Sequence, residues 1–404
     1  MRFLLILLML FVGLNKGYAQ HDESIPVSAL TAVPFIQIVP GAHGNMNAGA
    51  YTALPTNEPG GFFHNPAQAG NFARENNLAF QTYPAEVEYL PDSDINLSNT
   101  ALSAGYNFEN LDSRIPVSLG FGFMDTSLDM TQDYVGQDGT PRGTFSSTEK
   151  YSMIAVGVNV DLGLRLGLGY ARKSIDSELV PAGTGAPEAR AETTANDYGL
   201  LLSYPWTYGD LFSEISLGFT YQNIGDRVQY VGVGQPDPLP RKNTIGYAIS
   251  IGYEGELYGL SNNIVTWDWS QQASDILIDS NRDYISPPGN IHVLDNLILG
   301  ESDERIQIRR GSRLELYETL QLGWGEIKWR GNQDPVRTYG FSVRTGFAGR
   351  YLTNETDSEI LQSLAENIEL TYSLSTYNLF EDDGHPLTDT TFHGLAIHFT
   401  IPAI

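Results

Sequence analysis

The 404-residue chain contains no cysteine. That absence excludes disulfides, thiolate-bound zinc, iron–sulfur clusters and thiol nucleophiles, so packing and hydrogen bonds alone must hold the fold. Basic residues are scarce: 23 Lys and Arg stand against 48 Asp and Glu, for a net charge of −25. So acidic a chain is a poor partner for nucleic acid. Long apolar runs are missing too. Beyond residue 19 none approaches the ~20 residues of a membrane-spanning helix, so a membrane location requires a β-barrel.

The one apolar run stands at the front, in "MRFLLILLMLFVGLNKGYAQ". Arg2, about ten apolar residues and the small-residue site at Gly17-Tyr18-Ala19 read as a signal peptide, residues 1–19, cleaved after Ala19. The run is too short to span a bilayer. No Cys follows it, which excludes a lipoprotein anchor. Losing Arg2 and Lys16 takes the mature charge to about −27.

From residue 77 the dominant period is two. "IPVSLGFGF" sets Val117, Leu119, Phe121 and Phe123 on one face and Ser118, Gly120 and Gly122 on the other. "EISLGFTYQ", "TIGYAISIGY", "RLGLGYARK", "RTYGFSVRTGF" and "NIELTYSLSTY" repeat the pattern. Alternation of apolar with small or polar residues over about ten positions is the pattern of a transmembrane barrel; soluble sandwich strands run nearer five or six. Fourteen such segments can be placed, near 77–84, 99–108, 115–125, 148–160, 163–173, 197–205, 213–224, 243–254, 262–270, 304–316, 319–330, 336–348, 366–378 and 391–401. The expected fold is all-β, a 14-stranded antiparallel transmembrane barrel over 77–404. Tight turns at Asp161-Leu162 and Tyr317-Glu318 alternate with long connections at 126–147, 174–196, 225–242 and 271–303, the asymmetry of short periplasmic turns and long outer loops. Residues 331–335 form a short outer connection. "DSEILQSLAEN" reads as a short helix on the turn side. Trp267, Trp269, Trp206 and Tyr208 are candidate interfacial girdle residues.

Catalytic and metal patterns are absent. His393 and His398 lie five apart and face opposite sides of a strand. Asp92, Asp94 and Asn96 begin like a calcium loop, but Leu97 replaces the required Gly and no closing Glu follows. "EDDGH", Glu381 to His385, reads as a solvated turn. No G-x-S-x-G, H-E-x-x-H or P-loop occurs. No cofactor is expected, and the chain reads as a non-enzyme.

Before the strands the chain runs "AVPFIQIVPGAHGNMNAGAYTALPTNEPGGFFHNPAQAG". With Pro34-Phe35, Pro40 to Met46, Ala48-Gly49-Ala50 and Asn65-Pro66-Ala67, it resembles the N-terminal segment of the FadL superfamily of outer-membrane proteins. More narrowly it is similar to the PorV/PorQ-type branch associated with type IX secretion, departing at His43, where Arg is common, and at Asn45. Asn223-Ile224-Gly225, Pro238-Leu239-Pro240 and Gly246 resemble that branch's N-x-G, P-L-P and Gly-Tyr elements. A weaker likeness lies in "SRLELYETLQLGWGEIKW", with Gln321 in place of Arg. The resemblance implies a bacterial outer-membrane location and a plug, residues 20–76, folded into the lumen, with Pro34, Phe35, Ala48, Gly49, Phe62, Phe63, Asn65 and Pro66 as its lumen residues. The physics agrees: Gly and Pro allow a compact irregular path, and its backbone can be satisfied in a polar lumen but not in lipid.

Two functions follow from the resemblance. One is a PorV-like carrier that contacts the type IX translocon barrel and the C-terminal domains of secreted cargo through its outer loops. Expected partner residues are Asn223, Gly225, Pro238 and Pro240, with Ile291, Leu294, Leu297 and Ile298 in the unusually apolar loop "ISPPGNIHVLDNLILG". The other is a FadL-like transporter of hydrophobic small molecules, with a ligand or lipid in the lumen near Val33, Phe35, Ile36, Phe62 and Phe63. A barrel of that branch without a secretion role is a third option.

Overall fold

The computed structural model describes residues 31–75, 77–91, 93–135, 140–182, 188–231, 236–328, 335–353, 358–378 and 387–400. The expected signal peptide at 1–19, residues 20–30 and 76 of the expected plug, Asp92 and the expected turn at Glu381–His385 lie outside them. The strands are β1 (Asn77–Thr82), β2 (Val87–Glu88), β3 (Ile95–Asn107), β4 (Val117–Val135), β5 (Pro141–Asp161), β6 (Arg165–Val180), β7 (Ala189–Tyr208), β8 (Leu211–Ile224), β9 (Lys242–Leu257), β10 (Leu260–Ile276), β11 (Ile306–Leu316), β12 (Leu320–Lys328), β13 (Val336–Arg344), β14 (Ile368–Tyr377) and β15 (Thr391–Thr400). Each pairs antiparallel with its neighbour, and β1 closes the ring by pairing with both β15 (Phe80↔Ile397) and β3 (Phe80↔Leu102). The two-residue β2 continues the first strand along β3 after an interruption at Tyr83 to Glu86. The wall is thus a closed barrel of fourteen strands.

The wall is apolar outside and small inside. On β4 the exposed Leu119 and Phe121 alternate with buried Ser118, Gly120 and Gly122. On β6 the exposed Leu166, Leu168 and Tyr170 alternate with Ala171 and Lys173, which are buried. An apolar outer face is stable only against lipid or a partner, and around a closed ring it is the face of a membrane barrel. Trp206 and Tyr208 sit exposed beside the β7–β8 turn, and Trp267 shares its face with Ile251.

Two connections expected as loops are largely strand. β4 runs to Val135 and β5 begins at Pro141, while β6 runs to Val180 and β7 begins at Ala189. The reason is a change of face. Near the paired Asp125, Ser152 and Ser174 the outward residues turn polar (Asp129, Lys150, Asp176) and the inward ones apolar (Met124, Leu128, Tyr151, Ile175). Tyr170 and Tyr198, rings 5.5 Å apart, stand on the outer face just below that level. Beyond it the strands continue into water, where polar outward residues lower the local apolar count without interrupting the ladder. At the opposite end the connections are short except at 108–116, between β3 and β4, and between β13 and β14. There α-helices Gly346–Thr353 and Glu359–Asn367 lie, where the sequence suggested one helix.

Directly opposed inward glycines run across five adjacent strands: Gly105↔Gly120, Gly120↔Gly157, Gly157↔Gly169 and Gly169↔Gly199. A Cβ on Gly120 would overlap the Ala69 carbonyl, one on Gly169 the Pro66–Ala67 peptide, and one on Gly199 the Asn65 side chain. This belt admits the backbone of the N-terminal segment against the backbone of the wall. Gly169→Val should therefore push the segment off the belt at a cost of about 1–3 kcal/mol. It should lower the thermal midpoint and speed proteolysis within 31–75, while Leu168→Val on the outer face changes neither.

Candidate functional site

Residues 31–75 form short turns of helix: 3₁₀ turns at Pro34–Gln37, Gly61–Phe63 and Ala73–Glu75, with α1 (Ala42–Met46) and α2 (Gln68–Phe72) between them. Such a path leaves many peptide groups without helical or ladder partners, and buried ones must find others. Side-chain amides supply them. Gln68 Nε2 donates to the Tyr51 (3.1 Å) and Leu54 (2.8 Å) carbonyls, and its Oε1 accepts from Thr56 N (3.2 Å). Asn65 Nδ2 donates to Thr52 O (2.7 Å) and to Leu200 O of the wall (3.0 Å). From the wall, Gln272 Oε1 accepts Thr52 N (3.1 Å), Thr338 Oγ1 accepts Ala48 N (3.1 Å), and Gln222 Nε2 donates to Phe63 O (3.0 Å). These partners lie on β8, β10 and β13, so the segment is gripped from several sides of the ring.

The grip has two ionic parts. At the first, His43 Nε2 lies 3.1 Å from Arg313 Nη1 and 3.0 Å from Tyr51 Oη. A guanidinium only donates, so Nε2 accepts and the ring proton sits on Nδ1, 3.3 Å from Glu58 Oε1. Arg344 Nη2 also reaches Glu58 Oε1 at 3.2 Å, and Arg313 pairs with Asp268 at 2.7 Å. Burial holds His43 down to about 3, helped by the charges of Arg313 and Arg344 and opposed by Glu58. Burial pushes the Glu58 carboxyl up, but His43 and Arg344 outweigh it and hold it at about 2. At the second, fully buried Lys173 sits 2.8 Å from Asp197 Oδ2 and 2.7 Å from Asn223 Oδ1, with its Nζ 5.7 Å from the Phe63 ring centre.

The expected lumen residues are placed as follows. Phe35, Ala48, Phe62, Phe63, Asn65 and Pro66 are buried, Gly49 takes a left-handed φ of 68° beside Arg309, and Pro34 is exposed. The Phe35 ring stands 5.9 Å from that of Tyr151, and Phe62 covers Gly122. Above the glycine belt, Val33, Phe35, Ile36 and Phe62 belong to one apolar cluster with Leu97, Leu128, Ile175, Val228 and Leu239. A narrow cavity of about 20 Å³, room for about one water, lies beside His43, Tyr51, Glu58, His64, Gln81 and Met124.

Most of the expected partner residues face inward. Asn223 and Pro238 to Pro240 are buried: Asn223 Nδ2 donates to Pro240 O (3.0 Å), its N–H to Asp197 Oδ1 (2.7 Å), and Pro238 O accepts Ala32 N (2.9 Å). A Cβ on Gly225 would meet the Thr194 carbonyl. The motif thus ties Asn223 to Pro240 and Pro238 to Ala32 of the N-terminal segment. Ile291 and Leu297 are buried with Ile245, Ala273, Ile306 and Ile308, whereas Leu294 (64%) and Ile298 (49%) are exposed on a helical turn at Val293–Leu299. Sequence reasoning did not single out Glu58, Lys173, Asp197, Arg313 or Arg344. A lysine at an inward position of "RLGLGYARK" was the available signal.

These features define a closed fourteen-stranded antiparallel barrel with a lipid-facing wall and its N-terminal segment held among the inner faces. No family model matches the chain, and no curated protein matches it. Among solved structures it is similar to the Pseudomonas putida toluene transporter TodX, at 11% identity over 89% of this chain and 97% of that one, with a TM-score of 0.42. It is also similar to a Pseudomonas aeruginosa FadL homologue (10% identity, 89% and 98% covered, TM-score 0.38). A third is the CymD monoaromatic hydrocarbon channel (11%, 92% and 99%, 0.38).

Two outcomes are expected. Asp197→Ala strands the Lys173 ammonium without its countercharge and should cost about 3–5 kcal/mol, seen as a lowered unfolding midpoint; Lys173→Met with Asp197→Leu recovers most of it. The second concerns pH. His43 and Glu58 both have values below their ordinary ones, so each strengthens attachment at neutral pH and loses that contribution on acidification. Attachment should weaken as pH falls from 6.5 toward 3, the His43 contribution going first and that of Glu58 below 4.5. Protease cleavage within 31–75 across this range measures it, and His43→Asn should flatten the upper part of the profile.

Proposed function

We propose that this chain is an outer-membrane conduit for small apolar molecules, with its N-terminal segment as a plug. One observation carries the reading: the inner wall above the glycine belt is apolar, where the lumen of a solute channel is polar. Leu97, Leu128, Ile175, Val228 and Leu239 meet Val33, Phe35, Ile36 and Phe62 there, toward the end of the long connections. Apolar cargo entering from that end finds a matching surface, and a charged network below it at His43, Glu58, Arg313 and Arg344. The interruption of the first strand at Tyr83 to Glu86 offers a sideways exit that avoids those charges. It lies one step beyond Thr82, which pairs through Thr100 to Asp125 at the level where the outer face turns polar. The Tyr83 hydroxyl donates to the Pro40 carbonyl, tying the plug to this point of the wall.

Uptake of a radiolabelled monoaromatic hydrocarbon and of a long-chain fatty acid into proteoliposomes tests the reading. Uptake should exceed that of an empty-vesicle control, and Phe35→Arg should lower it about tenfold with assembly intact. Equal uptake with and without the protein would sink it.

A second reading, a PorV-like carrier of type IX secretion cargo, is favoured by the exposed Leu294 and Ile298 on a turn anchored from beneath by Leu297. Surface apolar side chains on an otherwise packed loop suit a protein partner. Here the native protein, purified in mild detergent, should bring with it a large translocon barrel or cargo C-terminal domains, and Leu294→Glu with Ile298→Glu should abolish the association.

A further inference from the structure

The two helices between β13 and β14, α3 (Gly346–Thr353) and α4 (Glu359–Asn367), stand at the end of the short turns. Their exposed side chains are mostly the wrong kind for water: Leu352 (77%), Ile360 (74%), Leu361, Leu364 and Tyr351 are all open. Their polar and anchoring contacts point the other way. Arg350 pairs with Glu318 of the β11–β12 turn at 2.7 Å, and Phe347 is buried under the Arg350 guanidinium at 6.0 Å. Ser358 Oγ accepts Leu361 N–H at the start of α4, and Ala365 packs on Gly349 of α3. The pair is therefore fastened to the barrel rim with its apolar residues directed away from it.

What covers those residues is indicated by what adjoins them. Tyr351 packs against Tyr258 of the β9–β10 turn, ring centres 4.8 Å apart. Tyr258 and Tyr317 are exposed at the same end of the wall, as are Trp206 and Tyr208, the side chains expected where a barrel leaves the hydrocarbon layer. The outward apolar band reaches the foot of the pair at Leu370 and Val343. The apolar helix surface is thus continuous with the lipid-facing wall through a belt of aromatic rings. Short helices with one polar, fastened side and one apolar side lie in the plane of a bilayer interface.

We propose that α3 and α4 form a foot embedded in the phospholipid leaflet at the turn end of the barrel, with Leu352, Ile360, Leu361 and Leu364 among the acyl chains and Glu359 and Glu366 in the headgroups. The foot joins two strands whose ends hold the plug's ionic anchor. Arg344, the last residue of β13, binds Glu58, and Glu369 of β14 lies 3.9 Å from Arg344. Lipid contact at the foot thereby bears on the segment inside the ring.

The absence of native cysteine makes the test direct. Full-length protein carrying one of Leu352→Cys, Ile360→Cys, Leu364→Cys or Glu366→Cys is folded, labelled with an environment-sensitive fluorophore and placed in phosphatidylethanolamine–phosphatidylglycerol vesicles. Heat-shifted migration on a gel confirms an intact barrel for each. Labels at 352, 360 and 364 should be quenched by nitroxide on the upper acyl chain and be about fivefold less sensitive to aqueous iodide than the label at 366. Free iodide quenching at all four sites overturns the proposal, as does a result in which neither quencher reaches 352, 360 and 364, which would mean a protein surface covers them.

Discussion

Backbone must touch backbone at the glycine belt, and the rest of the interior is arranged around that contact. An irregular segment cannot satisfy its own peptide groups, and inside a closed ring there is little water to do it instead. Gly105, Gly120, Gly157, Gly169 and Gly199 let residues 65–73 lie directly on the strands, and Asn65 and Gln68 then reach the carbonyls that the path leaves open. A side chain at any of these glycines would hold the segment off the wall and part Asn65 from the Leu200 carbonyl.

Two environments meet the segment inside the ring. Toward the long connections the inward residues become apolar, and the N-terminal segment offers Val33, Phe35, Ile36 and Phe62 to meet them. The inner faces of β10, β11 and β13 carry Asp268, Arg313, Glu315 and Arg344, and the N-terminal segment answers with His43, Tyr51 and Glu58. Charges removed from water are stable only when each has its partner. Buried ion pairs therefore hold the N-terminal segment at two places, through Glu58 and Arg344 and through Lys173 and Asp197 beside Phe63.

Much of the wall was legible beforehand because a strand's two faces are written in alternation. Leu119 and Phe121 against Gly120 and Gly122 announce lipid on one side and close packing on the other, whichever strands are neighbours. The reading failed at 126–147 and 174–196, where polar Asp129, Lys150 and Asp176 look like loop residues. They are outward residues of strands that have left the membrane, where the demand on each face reverses. The placement of the N-x-G and P-L-P elements depends on residues far away in sequence. Asn223 is 50 positions from Lys173 and 26 from Asp197, and only folding brings the three together. Ile291 and Leu297 look the same in the sequence as Leu294 and Ile298, yet two are core and two are surface.

The sequence by itself determined the class of wall and its strand number. Each of these depends on local periodicity, turn chemistry or composition, and is expressed within about ten residues. Tertiary structure decided where strands end, which glycines meet, that His43 faces Glu58 and Arg313, and which apolar loop residues remain exposed. Those outcomes are set by register around a closed ring, where every neighbour is fixed by the pairing of strands distant in the chain.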